Sequence, residues 1–236
     1  MIIRTADLVV SLSDDDGIPT EGYRYDIQSD HPNQIDIIIK NKIYGEYNDQ
    51  IDHRIINYLE SGFQFYVQLL RYNGMMLHAS AVAYGGRAYL FSGPCGTGKS
   101  THTRLWKQVF GDDAKVFNDD KPALRRLDDR WFAYGTPWCG KDGINLNMKV
   151  PIAGICFLKQ GKENRIRRLT AMEAAASVLG QTMIKLKLVE NMDFLISAVD
   201  KLIREIPIFE FENIPVPEAA RLSYETMRRA AEEEGL

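Results

Sequence analysis

Eight consecutive residues, Gly93-Pro94-Cys95-Gly96-Thr97-Gly98-Lys99-Ser100, carry the most explicit chemical pattern in the chain, and Thr101 extends it. They satisfy G-x-x-x-x-G-K-[ST], the phosphate-loop (Walker A) pattern. Glycines at 93, 96 and 98 let the backbone curl until successive N–H groups face one point, an arrangement that suits phosphate oxygens. A helix starting near Lys99 would add the positive end of its dipole. Lys99 supplies a point charge for the β- and γ-phosphates, and Ser100 offers a hydroxyl to Mg²⁺. The implied chemistry is the holding of a nucleoside triphosphate together with Mg²⁺.

Transfer of a phosphoryl group also needs acids. Asn118-Asp119-Asp120 follows the loop by about twenty residues, at the end of a short apolar run. Carboxylates at a strand end beside a phosphate loop hold the metal or take a proton, and two adjacent ones can divide these tasks. Several other residues compete for attention. His102 lies one turn into the expected helix, where a surface position is expected. Cys95 is expected to point away from the phosphates. Thr136-Pro137-Trp138-Cys139-Gly140-Lys141 is either a corner pinned by a buried tryptophan or a contact to acceptor or γ-phosphate. Arg165, Arg167 and Arg168, and more weakly Arg125 and Arg126, read as a solvated strand face or as a phosphate clamp.

The loop needs a strand before it and a helix after it. Met76–Tyr84 reads as a strand, Gly85-Gly86 as a tight turn and Arg87–Ser92 as a second strand running into the loop. Residues 100–110 read as the helix, Lys115-Val116-Phe117 as a short strand, and Ala123–Leu127 with Trp131–Tyr134 as a hairpin turning at Asp128-Asp129. Ile152–Leu158 is apolar enough for a buried strand. Thr170 and Glu173 make a capping box for a helix over 171–180. A helix over about 191–205, a strand at Ile208–Phe211 and a closing helix over 217–233 complete the pattern. Upstream, Leu8–Val10 and Ile35–Ile39 read as strands, with turns at Asp14–Gly17 and His31–Asn33. Residues 53–72 read as a helix presenting Ile55, Ile56, Leu59, Phe63, Phe65, Tyr66, Leu69 and Leu70, stopped by Asn73-Gly74. So many hairpins around one loop predict an α/β protein with a mixed sheet rather than an all-parallel one. The expected organisation is a small N-terminal α+β subdomain over 1–74 and a phosphate-loop core over 75–236 with C-terminal helices.

The 236 residues suffice for one large α/β domain, at 45% hydrophobic and 26% charged residues. A net charge of −3 argues against nucleic acid as a main partner. The three cysteines form no C-x-x-C pair, so zinc and disulfide frameworks are not expected, and a reduced cytoplasmic setting is. No apolar run approaches eighteen residues and no signal peptide is read, so no membrane association is expected. Without N-K-x-D or L-S-G-G-Q motifs, small GTPases and transporter ATPases are disfavoured.

The order Leu77-His78-Ala79-Ser80-Ala81-Val82, then Gly93 to Thr101, then Asn118-Asp119-Asp120 resembles the HPr kinase and phosphoenolpyruvate carboxykinase superfamily. The segments Gly135–Gly140 and Val150–Gln160 resemble its small HPr-serine-kinase-like members, including those associated with modified-peptide biosynthesis. The resemblance spans roughly residues 76–215. It implies an ATP- and Mg²⁺-dependent kinase acting on a serine hydroxyl of a peptide or small protein, a precursor peptide among the candidates. In it Asp119 would be the general base, Asp120 would hold Mg²⁺ with Ser100, and His78 would sit near the transferred phosphate beside Lys99. Such relatives often assemble, so a homo-oligomer is an expectation. Thr101 stands where an HPr kinase has an acidic residue, and the glycine-rich signature after the acid pair is missing, so HPr is not the expected acceptor. Two alternatives stay open: a small-molecule hydroxyl kinase on the same scaffold, and a nucleotide-binding regulator without transfer activity.

Overall fold

A computed structural model describes residues 1–14, 16–20, 25, 34–40, 52–182 and 191–236. The turn expected at His31–Asn33 and the residue Asp15 lie outside the described residues.

In chain order the elements are β1 (Ile2–Thr5), β2 (Leu8–Leu12), β3 (Ile37–Ile39), α1 (His53–Leu69), β4 (Gly74–Met76), β5 (Ala79–Tyr84), β6 (Arg87–Ser92) and α2 (Lys99–Phe110). Then follow β7 (Lys115–Asp120), β8 (Ala123–Leu127), β9 (Arg130–Tyr134), β10 (Lys149–Gln160), β11 (Arg165–Arg168), α3 (Ala171–Gln181), α4 (Met192–Glu205), β12 (Ile208–Asn213) and α5 (Pro217–Glu233). The sheet is mixed, as the hairpin-rich sequence predicts. Its main path is β4-β8-β9-β10-β6-β5-β7, with β12 joining β10 to β11. Strand β10 is the pivot. Its first three residues pair antiparallel with β9, and its remainder runs parallel to β6 on one edge and to β12 on the other. Pro151 sits where these partners change, and the register shifts between Ile152 and Gly154.

The sheet is covered on both faces. Helices α2 and α5 seal one face over Tyr89, Phe91, Trp106 and Phe211. Helices α3 and α4 seal the other over Leu90, Ile155, Val178 and Leu202. The β1-β2-β3 sheet and α1 pack together on Phe65, Tyr66, Tyr134 and Trp138.

Three sequence readings change. The strand expected over Met76–Tyr84 is two strands with different neighbours: β4 pairs with β8, and β5 lies between β6 and β7. The break falls at Leu77-His78, whose N–H groups bond the carbonyls of Pro122 and Gln181 instead of a ladder. The short strand at 115–117 extends to Asp120, so both acids belong to β7. Helix α1 buries Asn57, Ser61, Gly62, Phe65, Tyr66 and Leu69, and leaves Ile55 and Leu59 more than half exposed. Small residues face inward there because Trp138 lies against the helix. A Cβ on Gly62 would come within 2.8 Å of the indole. Asn73, in the left-handed region at φ 53°, ends the helical stretch as expected.

Candidate functional site

Register brings the chemistry together. Ala79 pairs with Ser92 on one side and with Asp120 on the other. The residues that continue from these three positions, His78, Gly93 and Lys121, therefore emerge at one end of the sheet. The phosphate loop leaves β6 there and enters α2 at Lys99, with Gly98 as the N-cap at φ 95°. A Cβ on Gly96 or Gly98 would meet nothing within 4 Å, so the loop leaves an open cradle.

A cavity of about 390 Å³ lies in front of the loop. His78, Gly98, Lys99, Ser100, Asp119 and Asp120 line it, as do Cys95, Gly96 and Thr101. Cys95, expected to face away, is an exposed free thiol on this wall. Gly93, Pro94 and Thr97 line a neighbouring cavity of about 710 Å³ between the loop, β10 and α3. Within the loop, Thr97 Oγ1 donates to the Pro94 carbonyl at 2.9 Å, and Gln160 at the end of β10 donates to the Gly96 carbonyl at 2.9 Å.

The Lys99 ammonium donates to the carbonyls of Gly93 and Pro94 at 2.9 and 3.2 Å. Burial pulls its pKa below the ordinary lysine value, against the opposing pull of Asp120, Cys95 and Asp119. The Ser100 hydroxyl donates to Asp119 Oδ1 at 3.0 Å. Asp119 is 7% exposed. Asp120 lies beside it in a different environment. Its Oδ1 is 3.0 Å from His78 Nε2, and its Oδ2 accepts from the Lys121 ammonium. Burial pushes the Asp120 carboxyl up, but the hydrogen bonds and charges of His78 and Lys121 outweigh burial and bring it down to about 2. Asp120 also takes a φ of 148°, a backbone region L residues rarely adopt. Strain of this kind costs about 1–3 kcal/mol and persists only where surrounding contacts impose it. The ladder to Ala79 and the bond from the Lys121 N–H to Asn118 Oδ1, at 2.8 Å, impose it here.

Behind the acids lies the Thr136–Lys141 segment, a corner pinned by a buried tryptophan that also reaches the cavity wall. Trp138 is fully buried, stacks on Phe65 at 4.5 Å and donates to Ser61 Oγ at 3.0 Å. Asn118 Nδ2 donates to the carbonyls of Thr136 and Trp138, and Tyr66 donates to the Lys121 carbonyl. Gly140 then passes so close to β7 that a Cβ would lie 2.3 Å from the Asp119 carbonyl, and its N–H donates there at 2.6 Å. Gly140, Lys141 and Asp142 reach the cavity wall. Arg104 of α2 pairs with Asp142 at 2.7 Å and ties this wall to the loop helix.

Sequence reasoning missed Gln181. Its carbonyl accepts from the His78 N–H at 2.8 Å, and its Oε1 lies 3.0 Å from His78 Nδ1. The two residues are 103 positions apart, and no local pattern links them. Lys121 was also missed, although its place directly after the acid pair was a usable signal.

Other candidates lie elsewhere. His102, expected at the surface, is 1% exposed. Its Nε2 is 3.0 Å from Ser223 Oγ, its Nδ1 has no partner, and burial lowers its pKa to about 3. The cause is α5, which closes over that side of α2. Arg167 pairs with Glu173 and Glu210, and Arg168 with Glu234, so much of this cluster's charge is neutralised on a strand face. Arg125 is buried and donates to the carbonyls of Ala6 and Tyr72, while Arg126 pairs with Glu205 and Asp129.

Among the described residues no three His, Cys, Asp or Glu side chains could hold a metal by themselves. Mg²⁺ is commonly held by one or two carboxylates together with substrate phosphates, and Ser100 with Asp119 fits that pattern. No described helix is long and apolar enough to cross a membrane.

Comparison with known proteins gives three findings. A family model described as SynChlorMet cassette protein ScmC matches residues 45–212. No curated protein matches the sequence. Among solved structures, the Hpr(Ser) kinase/phosphatase from Coxiella burnetii overlays with a TM-score of 0.40 at 11% identity, covering 66% of this chain and 98% of that one.

Proposed function

The chain belongs to the SynChlorMet cassette protein ScmC family, and from that premise we propose that it is an ATP- and Mg²⁺-dependent kinase. Its acceptor is a hydroxyl, foremost a serine, on a peptide or small protein such as a precursor peptide. One observation carries this reading: the phosphate loop, two carboxylates of unlike environment and His78 line a single cavity. Phosphoryl transfer is mostly positioning and neutralisation of charge, so these groups suffice for it.

The chain's residues divide the work. The loop N–H groups and the N-terminus of α2 hold phosphate oxygens, and Lys99 exchanges its two loop carbonyls for them. Mg²⁺, when bound, would neutralise charge on the transferring group. One carboxylate takes the acceptor's proton and the other shares the ion with Ser100. His78, held between Asp120 and Gln181, orients the acceptor or the departing oxygens. The nucleoside lies beyond the loop, where the cavity of about 710 Å³ is large enough for it.

Two assignments of the acids compete. The family resemblance makes Asp119 the base and Asp120 the metal holder. The 3.0 Å hydrogen bond from Ser100 to Asp119 favours Asp119 on the metal side, because hydroxyl and carboxylate must be neighbours to share an ion. Asp120, brought down to about 2 by His78 and Lys121, is then a weak base as it stands.

The test is transfer of labelled phosphate from ATP to a panel of peptides and small hydroxyl compounds, with Mg²⁺ titrated for Asp119→Asn and Asp120→Asn. The metal-holding carboxylate is the one whose loss raises the Mg²⁺ requirement. The base is the one whose loss lowers the rate at saturating Mg²⁺. Labelling of small hydroxyl compounds but no peptide would move the acceptor to metabolites. Tight nucleotide binding without transfer to any acceptor would sink the kinase reading.

A further inference from the structure

Beside β7 the chain makes a tight turn at Gly140-Lys141-Asp142-Gly143. The Gly140 N–H donates to the Asp119 carbonyl at 2.6 Å, the Asp119 N–H donates to the Ile144 carbonyl at 3.1 Å, and the Gly143 N–H closes the turn on the Gly140 carbonyl at 3.0 Å. Strand β5 holds the other edge of β7, and β6 lies beyond β5. The turn and the phosphate loop therefore stand on opposite sides of His78 and the acids. Three further contacts fix the turn. Tyr58 donates to the Cys139 carbonyl, Asn145 Nδ2 donates to Cys139 Sγ at 3.3 Å, and Arg104 holds Asp142 at 2.7 Å.

This turn presents one uncommitted cation. Lys141 lines the cavity of about 390 Å³, and among the described residues its ammonium forms no ion pair and no hydrogen bond. The acids around it are taken. Asp119 accepts from Ser100, Asp120 from His78 and Lys121, and Asp142 from Arg104. A lysine that serves only solubility needs no such mooring. A charge that must meet a small target does, because a misplaced group loses most of its effect. The target follows from the company. Lys99 and the N-terminus of α2 wall the same cavity, and both select phosphate. An ammonium on a flexible stem meets phosphate as a point charge.

We propose, resting on the kinase reading above, that Lys141 is a catalytic residue whose ammonium meets the terminal phosphoryl oxygens of the bound triphosphate from the side away from the loop. In the transfer the bond between the γ-phosphorus and the β,γ-bridging oxygen breaks, a bond to the acceptor oxygen forms, and the acceptor's proton goes to a carboxylate. Lys141 gives up no proton. It neutralises the negative charge that the three equatorial oxygens carry through the step. The diphosphate left behind lacks those oxygens, so Lys141 does not hold it.

The experiment compares β,γ-imido-ATP with ADP, each with Mg²⁺, by titration calorimetry on the full chain as wild type, Lys141→Gln and Lys141→Arg. The expected result is that Lys141→Gln weakens the triphosphate analogue about tenfold, leaves ADP unchanged and slows labelled-phosphate transfer by about tenfold or more. Lys141→Arg keeps most of the preference for the triphosphate, since it keeps the charge. Lys141 is exposed, so both variants should fold, and a thermal scan checks this. An unchanged ratio of the two affinities in Lys141→Gln overturns the inference. So does equal weakening of both nucleotides, which makes Lys141 a general attractor of anions. Unchanged nucleotide affinities with slower transfer to acidic acceptors alone overturn it too, and give Lys141 to the acceptor. The affinity ratio needs no acceptor, so absence of transfer sinks the kinase reading while the ratio still decides Lys141. Absence of nucleotide binding in the wild type sinks both.

Discussion

The front and the back of the phosphate-loop helix treat the same residue types in opposite ways. In front, His78 sits half-buried between Asp120 and Gln181, and Lys99, Asp119 and Asp120 line a cavity solvent can enter. At the back, His102 is enclosed by Phe91, Phe211 and Ser223, and burial lowers its pKa to about 3. One histidine has a carboxylate for company and the other has only a hydroxyl and an indole N–H. Side-chain type therefore does not mark a functional group. The partners that tertiary contact supplies do.

The largest test of this contrast is Lys99→Ala. We expect a fall of at least about 10³ in phosphate transfer, some 4 kcal/mol of transition-state stabilisation. The melting temperature should hardly move, since burial already disfavours the ammonium. Labelled-phosphate transfer beside a thermal scan reads both, and a large drop in melting temperature would make Lys99 structural.

The back of the helix predicts a pH effect. The folded His102 pKa lies below the ordinary 6.5, so the unfolded chain takes up a proton that the folded chain refuses. The stability in question is fully present above pH 6.5 and drains away as pH falls towards about 3. Its size is roughly 3–5 kcal/mol. Denaturant midpoints across that range measure it, and His102→Leu should flatten the limb while leaving transfer near its original rate.

Gly140→Ala joins the two properties. Its new Cβ would press on the Asp119 carbonyl, so β7 must shift. About 1–3 kcal/mol of stability should be lost, together with most transfer activity. Unchanged activity would show that the acids tolerate displacement.

The smallest expected effect belongs to Asp120. Its folded pKa of about 2 lies below the ordinary 3.8, so its contribution is present above pH 3.8 and is lost as pH falls towards 2. The contribution is about 2 kcal/mol. Asp120→Asn should remove this limb and leave that of His102. If both limbs vanish together, the two sides of the helix are coupled.

Much of this site was legible locally. The phosphate loop, the acid pair and the Thr170–Glu173 capping box are each set by residues within a few positions of one another. Such patterns act through nearby backbone geometry, so they survive without knowledge of the rest of the fold. Gln181 was invisible because its link to His78 crosses 103 positions. The inward face of α1 was misread because periodicity weighs apolarity, whereas Trp138 demanded small neighbours at Ser61 and Gly62. The burial of His102 was missed for a similar reason, since the covering helix begins at Pro217.

By itself the sequence determined a glycine-rich loop with the phosphate-loop pattern, an acid pair after it and a mixed sheet to hold them. Only the tertiary structure decided which acid meets Ser100 and which meets His78, because strand register is a property of pairs of strands. It also decided which histidine is left with a charged partner, since burial and desolvation depend on what packs over a residue.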